Sequence, residues 1–113
     1  MPRLRSDFWV SAHLRRLGVE GIAAVQRRRG SPEAGAIFVK VDRLDGTADL
    51  FGPAPQSLID EDSAGERLFV ALMAAASPVD VEDRIAKEVR FDGDLWIVEI
   101  DDRDGRHRLD LAE

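Results

Sequence analysis

The chain has 113 residues, 44% of them hydrophobic and 34% charged, with a net charge of −6. No apolar run approaches the ~20 residues of a membrane span, and the absence of cysteine excludes disulfides, thiolate-ligated zinc and thiol nucleophiles. Residues 1–56 hold nine Arg/Lys against six Asp/Glu, and 57–113 hold seven against sixteen, so a basic first half faces an acidic second; the overall balance argues against nonspecific binding to nucleic acid or anionic membrane. The size predicts a single domain, 1–113, with one core.

Residues 7–17, DFWVSAHLRRL, predict a helix with Trp9, Val10, His13, Leu14 and Leu17 on one face. Ser6 or Asp7 can cap its start, and Gly18 can take the left-handed position after its last turn. From Gly21 to Gly52 the pattern becomes strand-like. GIAAVQRRR and AIFVKVDRL are separated by GSPEAG, and Asp45-Gly46 signals a two-residue hairpin. That turn would pair Val41 with Leu50, Lys40 with Phe51, Asp42 with Asp49 and Arg43 with Ala48, placing Ile37, Val39, Val41 and Leu50 on the core face.

Residues 53–66 form a long, acidic connection opened by two prolines. ERLFVALM, 66–73, fits a strand or a short helix, and the strand is the reading adopted. Ser77-Pro78-Val79-Asp80 begins a second helix that should end near Arg90. Ser77 serves as its cap, Val81, Ile85 and Val89 as its seam, and Asp80–Arg84 and Asp83–Lys87 as surface pairs. LWIVEID then leads to a second Asp-Gly turn at 104–105, which would pair Ile100 with Leu109, Val98 with Leu111, Asp101 with Arg108 and Asp102 with His107. The fold class is α+β: an antiparallel sheet of five or six strands built from hairpins, with two amphipathic helices packed mainly on one face.

Arg27, Arg28 and Arg29 end one strand; Arg27 and Arg29 should point one way and Arg28 the other. With Lys40 they could form a site for an anion or acidic partner, or a charged strand end that blunts edge pairing. No aromatic residues interleave them as RNA-stacking surfaces require. Glu99, Asp101, Asp102 and Asp104 resemble half a cation site, yet a hairpin turn explains the Asp-Gly by itself. Asp42 opposite Asp49 would need a neighbouring cation, an Arg, Lys40 or a divalent ion.

Asp102 could orient His107, but no serine or cysteine nucleophile sits in a motif beside it; Ser11, Ser57 and Ser77 lack the nucleophile elbow, and no Walker loop occurs. His13 reads as a packed histidine, and Trp9 and Trp96 as core or interface anchors. No catalytic residue, metal ligand set or cofactor is indicated.

FWVSAHLRRL, VQRRRGSPEAGAIFVKV, LDGTADLFGPAPQ and FDGDLWIVEIDDRDG together resemble Domain of Unknown Function 1491, a family of small bacterial proteins without an assigned role. The resemblance covers nearly the whole chain, weakest through 57–77, and implies a cytoplasmic bacterial protein. The functional expectation is a non-enzymatic module that binds another protein or pairs with itself, using Trp9, the Arg27–Arg29 region and the 53–65 loop around Gln56. The alternatives are an anion or RNA binder using Arg27, Arg28, Arg29 and Lys40, and a metal-dependent hydrolase built on Asp42/Asp49 or Asp102/His107.

Overall fold

A computed structural model describes residues 4–55, 58 and 66–112; Gln56 and most of the 53–65 connection lie outside these. The elements are α1 (Ser6–Val19), β1 (Ala23–Arg28), β2 (Ile37–Asp42), β3 (Ala48–Pro53), β4 (Phe69–Ala76), α2 (Pro78–Phe91) and β5 (Trp96–Asp101). The strands form one sheet in the order β1-β5-β2-β3-β4. All neighbours are antiparallel except β2 and β5, which run parallel. Among the described residues the architecture is therefore α+β with five strands and two helices, and the sheet is mixed.

The helices lie on opposite faces. Val10 and Leu17 of α1 join Ile37, Val39, Val41, Trp96, Val98 and Ile100 in one core. Val81 and Ile85 of α2 join Phe38, Leu50 and Ile97 in another. The consecutive apolar residues of AIFVKV and LWIV carry this signal, because strands buried on both faces lose their alternation.

The first hairpin forms in a register one residue away from the expected one. Lys40 pairs with Leu50, Val41 with Asp49 and Asp42 with Ala48. The loop is Leu44-Asp45-Gly46, closed by the Arg43 N–H donating to the Thr47 carbonyl at 3.1 Å. Leu44 and Gly46 both have positive φ, 61° and 88°. Asp42 Oδ1 accepts from the Leu44 N–H at 2.8 Å, and Asp45 Oδ1 from the Thr47 N–H at 2.9 Å. An odd loop turns Leu50 to the α2 side and brings Phe51 to the side of Val41.

The second hairpin does not form. The Asp104-Gly105 turn is present, with Gly105 at φ 70° and its N–H on the Asp102 carbonyl. Both edges of β5 are already paired, to β1 and to β2, so the returning chain cannot add there. It crosses the α1 side instead. Leu109 is buried in the same core as Ile100, and Leu111 bridges to Phe69 on β4.

Helix ends also differ from expectation. Gly18 lies within α1, and Gly21 takes the left-handed position at φ 75°. Ser77 makes no side-chain cap, and Arg84 pairs with Glu88 on α2 at 3.0 Å. Val81 and Ile85 are buried as the seam requires, with Val89 packed beside them.

GSPEAG wraps around the start of β5. The Ser31 N–H donates to the Asp94 carbonyl at 2.8 Å, and Trp96 donates Nε1–H to the Ser31 carbonyl at 2.8 Å. A Cβ on Gly30 would lie 2.2 Å from the Asp94 oxygen, and one on Gly35 would lie 2.4 Å from it. The Gly30→Ala variant should lose ~1–3 kcal/mol in urea unfolding, the range for forced overpacking. Gly18→Ala meets no atom within 4 Å in the helix and should gain ~0.5–1 kcal/mol.

Candidate interaction surface

Of the four basic residues singled out in the sequence, Arg27 and Lys40 come together, while Arg28 and Arg29 go elsewhere. β1 shifts register between Gln26 and Arg28, and the extra residue, Arg27, turns to the α2 side. There it hydrogen-bonds Glu82 through both terminal nitrogens and Glu99 at 3.1 Å. Lys40, only 6% exposed, donates to Glu82 at 2.7 Å and lies 3.9 Å from Glu99. Two cations thus face two carboxylates, and a buried ammonium needs such partners. Hydrogen bonding, from Arg27 first and then Lys40, holds the Glu82 carboxyl down at about 2 against the opposing effect of burial. Arg28 donates to the Gly93 carbonyl at 3.1 Å, and the Arg29 guanidinium sits 5.5 Å over the Trp96 ring. The bulge and the arginines blunt the outer edge of β1.

The acidic candidates are separated too. Asp49, 3% exposed, accepts from Arg43 Nε at 2.8 Å and from the Ala75 N–H at 2.7 Å. Asp42 is paired with Ala48 and holds Leu44, so the opposed carboxylates expected from the sequence do not arise. Asp102 accepts from the N–H, Nε and Nη2 of Arg106 at 2.8–3.1 Å, which holds its carboxyl at about 2. His107 instead accepts through Nδ1 from the Leu109 N–H at 2.9 Å and packs on Phe51. Among the described residues no three His, Asp or Glu side chains gather as metal ligands.

Trp9 is half-buried, stacked on His13 with ring centroids 4.5 Å apart and tilted against Phe69 at 5.3 Å. It anchors α1 on the sheet and leaves only part of its ring at the surface.

A concave site lies at the start of α1, and the sequence did not reveal it. Leu4, Glu33, Ala34, Ala36, Pro53 and Arg67 line a cleft of about 350 Å³. Its first wall is the GSPEAG loop, which also receives the helix: the Ser6 and Asp7 N–H groups donate to the Glu33 and Pro32 carbonyls at 3.2 and 3.0 Å. The Ser6 hydroxyl donates to the Gly35 carbonyl at 2.6 Å. Arg67, just ahead of β4, donates Nη2–H to the Leu4 carbonyl at 2.9 Å and to Ser6 Oγ at 3.4 Å. Leu4, Ala34, Ala36 and Pro53 give the cleft apolar walls, and Glu33 and Arg67 are its charged groups. Nothing in the spacing of Leu4, Pro53 and Arg67 marks them as neighbours; only the folded sheet does.

The family described as Protein of unknown function (DUF1491) matches residues 4–110. Protein Atu0922 from A. tumefaciens, known from a solution structure, is 38% identical over 98% of this chain and 96% of its own, with a TM-score of 0.83. A DUF1491 family protein from Caulobacter crescentus CB15, seen in a crystal structure, is 36% identical over 97% of this chain and 98% of its own, with a TM-score of 0.78. An NMR structure of a DUF1491 family protein from the same organism shows 40% identity over 97% and 96%, also at 0.78. No curated protein is significantly similar.

The Glu82 carboxyl lies below its ordinary value of 4.5, so its contribution to stability is full above that value and lost as pH falls toward 2. Urea unfolding should therefore show the wild type exceeding Glu82→Gln by a constant margin above about pH 5, and by a shrinking margin below it. A margin that does not change with pH would contradict the ion-pair assignment.

Proposed function

The chain belongs to the DUF1491 family, proteins of unknown function, and from that premise we propose that it is a non-enzymatic protein-binding module that takes a short apolar segment carrying one carboxylate into the Arg67 cleft. The cleft itself carries this reading. Its volume falls within the ~300–1,000 Å³ of ligand pockets, which combine apolar walls with few polar groups.

Among the described residues the lining side chains are Leu4, Ala34, Ala36, Pro53, Glu33 and Arg67, none of them a nucleophile or imidazole, which supports binding rather than turnover. Arg67 supplies a planar donor for a carboxylate. Glu33, strongly exposed, disfavours a second acid on the same segment.

Selection of a random heptapeptide library on the immobilised protein tests this. Enriched peptides should share an apolar residue beside Asp, Glu or a free C-terminus. Affinity for a representative peptide should fall at least ~10-fold, or ~1.4 kcal/mol, in Arg67→Glu and in Ala34→Trp, which fills the cleft without touching the Arg67 ties. Val79→Glu, on the exposed side of α2, should bind normally. Absence of enrichment, or binding indifferent to both cleft variants, defeats the proposal.

A further inference from the structure

We propose that residues 107–112 form an acid-released strap, in which protonation of His107 detaches the chain end from Phe69 at the outer edge of β4. The strap runs beside the sheet rather than in it. The Phe69 N–H donates to the Asp110 carbonyl at 2.9 Å, and the Ala112 N–H donates to the Phe69 carbonyl at 2.8 Å. These two bonds cover the backbone of Phe69 on the side away from β3.

What sets the strap's path is the turn at Arg108. This residue has φ 58°, a left-handed conformation unfavourable for a side chain with a Cβ. The turn brings the Leu109 N–H to His107 Nδ1 at 2.9 Å. Only a neutral ring, with its proton on Nε2, can accept that bond. A proton on Nδ1 sets two N–H groups against each other, and the left-handed turn loses the bond that offsets it.

The histidine is also tied to the rest of the α1 side. Its carbonyl lies 2.8 Å from His13 Nε2, and His13 stacks on Trp9, which packs on Phe69. His107, His13, Trp9 and Phe69 thus form a continuous run of contacts, and buried Leu109 lies in the same core as Phe69. Arg108 adds a bond from Nε to Glu20 at 2.8 Å.

The surrounding charges set the direction of the response. Burial opposes the charged ring at His107, as do Arg108 and Arg43, while Asp49 on β3 favours it. Burial also opposes charge at His13, as do Arg16 and His107, against a favourable Asp110 and the carbonyl of His107. Both imidazoles lie below the ordinary value of 6.5. A base with a depressed folded value stabilises the fold fully above its unfolded value and less as pH falls. Acid therefore opens the strap.

Amide hydrogen exchange with NMR detection, corrected for intrinsic rates, tests this alongside the titration of each imidazole. Between pH 7.5 and 5, protection at Phe69, Leu109 and Ala112 should fall at least tenfold along the His107 titration curve, while amides of β2 and β5 keep theirs. His107→Gln, whose side-chain oxygen accepts without titrating, should make strap protection independent of pH, and His13→Gln should leave the dependence in place. The proposal is overturned if strap protection survives the His107 titration, if it is lost only together with that of β2 and β5, or if the dependence follows His13. Should His107→Gln not fold, the wild-type curves alone decide, because the loss must track the measured pKa of His107 rather than that of His13.

Discussion

The backbone carbonyl of Asp94 is the point around which the rest of the fold is assembled. It accepts from the Ser31 N–H, and Gly30 and Gly35 approach it so closely that neither position has room for a Cβ. From this contact the Ser31 carbonyl reaches the Trp96 indole, and the Trp96 N–H reaches Ala36, starting the parallel pairing of β5 with β2. The same loop accepts the first N–H groups of α1 and forms a wall of the Arg67 cleft. The GSPEAG and FDGDLW segments, far apart in sequence, are two halves of one structure. Glycine is needed at Gly30 and Gly35 for proximity, not for turning.

Local signals in the sequence located elements better than they located partners. The α1 face, the seam of α2 and the strand character of the segment before it were legible, because 3.6-residue and two-residue periods need no knowledge of the rest of the chain. Register was not. Asp45-Gly46 is a strong turn signal, yet the loop gained a residue because Asp42 captures the Leu44 N–H and stabilises a second positive φ. Asp104-Gly105 does turn the chain, but the edge it would return to is occupied by β1 and β2. Hairpin rules describe two strands; a third competing strand lies outside their reach.

The charged residues show the same limit. Spacing alone placed Arg27, Arg28, Arg29 and Lys40 near one another, and the structure sends them to a carboxylate pair, a backbone carbonyl and an indole ring. Glu82 comes from a helix more than forty residues downstream of Lys40. A cation cluster read from sequence overstates free charge whenever a distant acid folds onto it. Arg67 lies in an unremarkable stretch of sequence, yet the fold brings it to a cleft beside Leu4 and Pro53.

The two outer strands are protected in different ways, and the difference bears on where this molecule can change. β1 is protected by a bulge and by arginine side chains, whose own charge does not titrate in the range where imidazoles do. β4 has no charged residue from Phe69 to Ala76. It relies on register shifts against β3 and on the chain end that covers Phe69. Such cover is only as secure as the hydrogen bonds that position it, and one of these requires a neutral imidazole. Phe69 opens β4 two residues after Arg67, so a change at the strap occurs close to the cleft in the chain.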